Sequence, residues 1–364
     1  MLLPELGQSF LDLWHHFDGA EAGRTDRFGP PPTLAPFNDK TLKLHGAAFR
    51  SLAHAVEELE LDSVDDEIDR TILIDSIRVR LRRVEHDRPD RRNPALWLDR
   101  LAAIVRSRPD DQALSDAIPS WVAALQSTVK KPPLGYLHVA LGLLAEIRAS
   151  QSDPAAALAL ATLDGFLRHD LAADAGPDAG ALGEDQVTWH LHHEFKIEMT
   201  AAQAERRLIA LVEASAADLE AGRPPADGSG SAAWASVVVA GREIRRRITA
   251  PEWLTAIDLY SGYLSPGERH VALVIAGLDL AIQLGRIGAA EGVAKLTDRL
   301  PSREAQIRRV IVAPLESVGA VLLAADWHAL GQSRGELPPL LLERAFHHGT
   351  FHPALAAWAF SAGG

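Results

Sequence analysis

From Leu42 to Leu59 the apolar residues Leu42, Leu44, Phe49, Leu52, Val56 and Leu59 return mostly every three or four positions, and this spacing recurs along almost the whole chain. It matches the 3.6-residue turn of an amphipathic helix, not the two-residue alternation of a half-buried strand. Alanine and leucine, both good helix formers, dominate these segments. The spacing predicts helices over 41–60, 64–86, 94–107, 111–127, 134–150, 153–169, 183–198, 201–221, 233–248, 251–260, 267–286, 289–299, 302–312, 315–331 and 338–348. Ser63 is placed as N-cap of the second, and Thr200 with Gln203 forms a capping box. "WASVVVA" (234–240) has strand composition, but its helical neighbours favour a buried helix. The expected fold is all-α: a multi-helix array of antiparallel helix pairs in one compact body, with little or no β.

Three stretches break the pattern: "DRFGPPPTLAP" (26–36), "DLAADAGPDAGALG" (170–183) and "EAGRPPADGSGSAA" (220–233). The last is rich in proline, glycine and serine, as linkers are. Residues 1–364 are read as one helical domain, the alternative being two lobes, 1–220 and 233–364, joined by a flexible 221–232 segment.

A net charge of −12 argues against nucleic acid or an anionic membrane as main partner, since both reward clustered positive charge. The chain has no cysteine, which excludes thiolate nucleophiles and cysteine-held metals. No basic segment followed by an apolar run opens the sequence, and no stretch approaches eighteen uninterrupted apolar residues. The expectation is a cytoplasmic protein whose partner is a small-molecule ligand or substrate, not nucleic acid or membrane.

"LDSVDDEIDRTILIDSIRVRLRRVEHDRPDRRNPALWLDRL" and, further on, "IPSWVAALQSTVKKPPLGYLHVAL" fall within 61–141. Together with "GEDQVTWHLHHEFKIEMTAAQAERRLIAL" and the tail "RAFHHGTFHPALAAW", they resemble the N-terminal and extreme C-terminal parts of the bacterial domain-of-unknown-function family 885. The resemblance covers half to two-thirds of the chain, with "NPALWL" and "KPPL" its most specific words. It implies a helical fold. Members of that family are regarded as zinc peptidases or hydrolases because of a His-Glu pair followed by Pro-Gly-His-His. No such segment occurs in this sequence, nor does His-Glu-x-x-His. The resemblance therefore implies a divergent, shortened member without the zinc motif, which binds a small molecule or performs metal-independent acid–base chemistry. The alternatives are a metal-dependent hydrolase with a rebuilt His/Glu site and a non-catalytic helical interaction protein.

"WHLHHEF" (189–195) is the densest chemistry in the chain. On a helix His190, His193 and Glu194 stand at i, i+3 and i+4 and share a face. They could ligate zinc or another divalent metal, completed by His347 or His348. In the plainer account Val187, Leu191 and Phe195 form the buried stripe, His190 and His193 lie along its margin, and Glu194 pairs with His190. No cofactor is the favoured expectation.

"DDEID" (65–69) has a magnesium-binding spelling, but Asp65 and Asp66 in the first turn after an N-cap are explained by the helix dipole. Asp75 is more telling. Ile68, Ile72, Asp75 and Val79 fall on one face of their helix, and Leu73, Ile77, Leu81 and Val84 on the other, so the helix is central and Asp75 buried. Arg78 and Arg82 are its available partners. Asp279 likewise interrupts an apolar helix, with Arg286 two turns on. Arginines cluster at 78–92 and in "REIRRR" (242–247), where interleaved Glu85, Asp87 and Asp90 favour salt bridges for the first group. The tail histidines His347, His348 and His352 either line a pocket or dock to seal the core, docking being favoured. The candidate catalytic residues are Asp75, His190 and Glu194. The candidate ligand-binding residues are His347, His348, His352, Arg78 and Arg82, and the candidate metal ligands are His190, His193 and Glu194.

Overall fold

A computed structural model describes residues 2–25, 38–108, 111–176, 181–221, 264–300, 304–336, 338–347 and 352–362, with short pieces at 29–30, 34, 255–257 and 259–260. Its elements are α1 (Leu3–Thr25), α2 (Asp39–Glu57), α3 (Val64–Arg82), α4 (Pro94–Ser107), α5 (Gln112–Thr128), α6 (Leu134–Ser150), α7 (Pro154–Gly165), α8 (Glu184–His193) and α9 (Ala201–Glu220). After 221 come α10 (Pro266–Gln283), α11 (Ala289–Arg299), α12 (Glu304–Val312), α13 (Glu316–Arg334), α14 (Pro338–His347) and α15 (Pro353–Ala362). Among the described residues the β content is one isolated bridge, Pro133 to Gly176. The fold is all-α, as the spacing predicts. The predicted helices 233–248 and 251–260, "WASVVVA" and "REIRRR" lie wholly or largely outside the described residues, as does most of the 221–232 segment.

Helix starts follow local chemistry. Ser63 caps α3 by accepting from the Asp66 N–H at 3.1 Å, and Thr200 and Gln203 form the predicted capping box of α9. Asn93 caps α4, accepting from Leu96 N–H, while its amide donates to the Ile311 carbonyl at 2.8 Å and ties α4 to α12. Helices also approach closely where a side chain is missing: a Cβ on Gly135 of α6 would lie 2.6 Å from backbone atoms of Ala289 and Ala290.

Two helices, α1 and α15, lie outside the predicted spans, and the predicted spans 64–86 and 183–198 run past the ends of α3 and α8. Leu3–Thr25 is helical, but its periodicity is interrupted because Asp18 leaves helical geometry (φ −144°, ψ 62°) and kinks it. Asp18 then caps the second half by accepting from Glu21 N–H at 3.3 Å. The helix predicted over 64–86 turns at Arg83 into a π-helical turn, Arg83–Asp87, closed by Arg88 in the left-handed region (φ 44°). The helix predicted over 183–198 ends at His193.

Two apolar cores result. The first gathers α1, α2, α3, α8, α9, α13, α14 and α15 around Phe10, Trp14, Phe49, Leu73, Phe195 and Trp327. The second gathers α4 to α7, α11 and α12 around Trp97, Trp121, Leu125 and Leu144. α10 serves both, giving Leu273, Ala276 and Leu280 to the first and Ile275 and Ile282 to the second. Residues from before 221 and after 255 share each core. α3 is buried on two sides, as its pattern predicts, because it lies between α1, α2 and α8. Among the described residues no single helix is long and apolar enough to cross a membrane.

Candidate functional site

A cavity of about 170 Å³ opens where the two cores meet. That is room for on the order of ten water-sized groups. One face of α3, continued through the π turn, forms a wall: Ile72, Asp75, Ser76, Val79, Arg80, Arg83 and Asp87 all line it. α1 contributes Trp14 and Glu21, α4 Leu96 and Arg100, and the end of α8 and its exit loop His190, His193, Glu194, Phe195 and Lys196. Arg309 and Glu316 close the far side and pair with each other.

The charges form a chain. Arg83 joins Glu21 to Glu194, with Nη2 donating to Glu194 Oε1 at 2.6 Å. Glu194 Oε2 lies 2.7 Å from His190 Nδ1, and His190 Nε2 lies 3.3 Å from Asp87 Oδ2. Arg82 donates to the other Asp87 oxygen at 3.2 Å. Behind Glu21, Arg100 makes a two-pronged bond to Asp18 at the α1 kink, its Nε donating at 2.8 Å. Arg80 lies with its guanidinium 3.9 Å from the centre of the Trp14 ring and comes no nearer to Glu21 than 3.5 Å.

Each charge state has a physical cause. Burial would raise Glu194, but the Arg83 charge and the His190 bond outweigh it and bring its pKa down to about 2. Burial would lower His190, yet the Asp87 and Glu194 carboxylates prevail and leave it above the ordinary histidine value. Carboxylates only accept, so an imidazolium donating from Nδ1 to Glu194, with Nε2 in ion-pair reach of Asp87, fits this geometry. Burial lowers Arg80, because its one carboxylate contact is long. Arg100 is raised: burial acts against it and the Asp18 charge and bond prevail. Burial with the Arg78, His192 and Arg82 charges lowers His193, which leans on Trp189 at 4.7 Å.

The predicted residues divide plainly. Asp75, His190, His193 and Glu194 all line this one cavity. His190 is buried, not marginal as the wheel suggested, because Asp87 and Glu194 cover both its nitrogens. As a metal trio His190, His193 and Glu194 do not fit: His190 has both nitrogens engaged, and Glu194 has both oxygens engaged by Arg83 and His190. Among the described residues no three His, Asp or Glu side chains converge to hold an ion. Arg78 and Arg82 do not line the cavity. Arg78 pairs with Glu57 at 3.1 Å and approaches Asp75 only to 3.6 Å, while Arg82 pairs with Asp87 and lies over Trp189. At 100° per residue they project past Asp75, away from the cavity wall centred on Ile72, Ser76 and Arg83. The close partner of Asp75 is Lys196.

His352 is fully buried and donates from Nε2 to the Phe195 carbonyl at 2.7 Å, while Nδ1 accepts from Ala354 N–H. It holds the cavity's exit loop from behind. α15 docks on the first core through Leu355, Ala356, Ala359 and Phe360, the role favoured for the tail. His347 ends α14, and His348 lies outside the described residues. Asp279 does not pair with Arg286, which reaches Glu184 and Glu205 instead. It accepts from Leu315 N–H and Ser317 Oγ and so caps α13 from another helix.

Trp14, Glu21, Arg80, Arg83, Asp87, Arg100 and Lys196 line the cavity without being among the expected site residues. The one signal available was the α3 face itself, which turns from apolar to charged at Arg80 while keeping its spacing.

No protein-family model matches the chain, and neither does any curated protein. A solved structure described as a "putative lipoprotein of unknown function" from Shewanella oneidensis is similar, with 10% identity and a TM-score of 0.67 over 99% of this chain and 100% of that one. At that identity the likeness shows the fold alone.

Proposed function

We propose that this protein binds a small monoanionic molecule in the cavity between its two cores and handles a proton there through His190, without a metal. The supporting observation is the charge balance of the lining. Arg80, Arg83, Arg100, Lys196 and Arg309 face Glu21, Asp75, Asp87, Glu194 and Glu316, five against five, and a protonated His190 leaves one positive charge over. Buried ionic chains are costly to assemble, and a surplus charge within one favours an incoming counter-ion. Arg80, held only loosely by Glu21, is the guanidinium best placed to receive it. His190 then moves a proton along the Asp87 or Glu194 contact as the ligand's charge develops. This is the acid–base reading of a divergent family 885 member, with Glu194 as a fixed carboxylate that orients the imidazole.

The test is calorimetric titration and thermal unfolding with acetate, lactate and inorganic phosphate at millimolar concentration. The carboxylates should bind and raise the unfolding temperature, and His190→Gln, which removes the surplus charge, should weaken them about tenfold. If none of these anions gives heat or a shift, the reading fails.

A further inference from the structure

Lys196 is the one of the chain's six lysines that is not exposed; Lys40, Lys43, Lys130, Lys131 and Lys295 all face solvent. It stands in the cavity wall with 20% of its side chain accessible and Nζ against the Asp75 carboxylate. Its backbone is left-handed (φ 57°), an uncommon and unfavourable state for a residue with a Cβ.

The flanks impose that conformation. Phe195 N–H donates to the His190 carbonyl at 3.2 Å, and Ile197 N–H to the Leu191 carbonyl at 2.8 Å. His352 grips the Phe195 carbonyl from the far side, and the Phe195 ring sits where Gly319 leaves no room for a Cβ. A strained residue locked on both sides, with its amine turned to a cavity and a carboxylate, has the layout of an activated nucleophile.

We propose that Lys196 is a reactive amine that forms an imine with a carbonyl compound bearing a carboxylate, a 2-oxo acid, with Asp75 as its proton acceptor and donor. The carboxylate part of this assignment rests on the anion-binding reading of the cavity; the amine part stands on the geometry of Lys196. The Lys196 ammonium gives a proton to Asp75. Nζ then adds to the carbonyl carbon, and a proton passes from nitrogen to the former carbonyl oxygen, giving a carbinolamine. Asp75 returns its proton to that hydroxyl, which leaves as water as the C=N bond forms. One water is released, no electrons are exchanged, and Asp75 ends as it began. Burial supports the assignment by bringing the Lys196 ammonium down to about 8 against the opposing charge of Glu198.

The experiment is reductive trapping on the full chain near neutral pH. Glyoxylate or uncharged propanal is added with cyanoborohydride, and adducts are mapped by peptide mass spectrometry. With glyoxylate, Lys196 should be modified about tenfold or more faster than any exposed lysine, because Asp75 stands against Nζ to take and return its proton and the cavity cations hold the carboxylate. Lys196→Arg, which keeps the charge, should leave only the slow background. Lys196 labelling no faster than Lys40 or Lys295 overturns the proposal. Equal labelling by propanal and glyoxylate overturns the 2-oxo acid assignment. If Lys196 stays unreactive while acetate still binds by calorimetry, the reactive amine alone is lost and the anion site stands.

Discussion

His190 and Glu194 sit one helical turn apart at the end of α8, joined at 2.7 Å, and the second oxygen of Glu194 is held by Arg83 from the π turn of α3. A pair that is local in sequence is thereby fixed by a residue more than a hundred positions away. Because the carboxylates raise His190, its protonated form stabilises the fold. That contribution is complete below the unfolded histidine pKa of about 6.5 and is lost as pH rises through the higher folded value. His190→Gln should therefore cost about 1–3 kcal/mol at pH 6, with the cost shrinking as pH rises. Urea unfolding of both proteins across pH 6 to 9 measures the gap; a constant gap would show that the imidazole is neutral throughout.

His352 carries the opposite sign. Burial brings it down to about 4, and its two hydrogen bonds require the neutral Nε2–H tautomer. Its depressed value leaves the fold unpenalised above about 6.5 and withdraws roughly 3 kcal/mol as pH falls to about 4. His352→Gln should be less stable than wild type at pH 7 yet lose less on acidification. Equal acid sensitivity in the two proteins would place the titrating group elsewhere, with His45, brought down to about 3 by burial, next in line.

Asp279 is fully buried, and burial pushes its carboxyl up to about 7 against the Ser317 and Leu315 hydrogen bonds. A raised carboxyl stabilises most below its unfolded pKa of about 3.9 and loses that benefit as pH climbs through the folded value. Asp279→Asn keeps an acceptor for the α13 cap without a buried charge. The stability of the variant relative to wild type should improve steadily between pH 5 and pH 8. Guanidinium unfolding at those two pH values decides it, and an unchanged difference would mean the carboxyl is ionised throughout.

How much of this was legible depended on whether a pairing was local. The central position of α3 and the burial of Asp75 follow from apolar residues on two faces of one helix. The His190–Glu194 contact follows from a spacing of four. Arg83 to Glu21, Arg100 to Asp18 and Lys196 to Asp75 join residues 62, 82 and 121 positions apart, and no periodicity encodes them. α1 escaped notice because Asp18 breaks its pattern, although its second half carries Glu21 and its first half Trp14. Lys196 was read as one more residue of a helix that in fact ends three residues earlier.

Gly319 on α13 tests whether the loop geometry matters as a unit. A methyl there would collide with the Phe195 ring, which is fully buried against the first core and lines the cavity. The ring must shift, and such overpacking costs about 1–3 kcal/mol. The displacement also pulls on the Phe195 carbonyl held by His352 and on the left-handed Lys196 that follows. Gly319→Ala should therefore lower the unfolding temperature, and histidine NMR spectra should report the disturbance at His352 and His190 together. Leu323→Ala, one turn further along α13 and equally buried, should destabilise as a plain cavity mutant while leaving both imidazole signals in place. If the two variants disturb the histidines alike, the lock on residues 194–197 is general core packing and not a specific contact of Gly319 with Phe195.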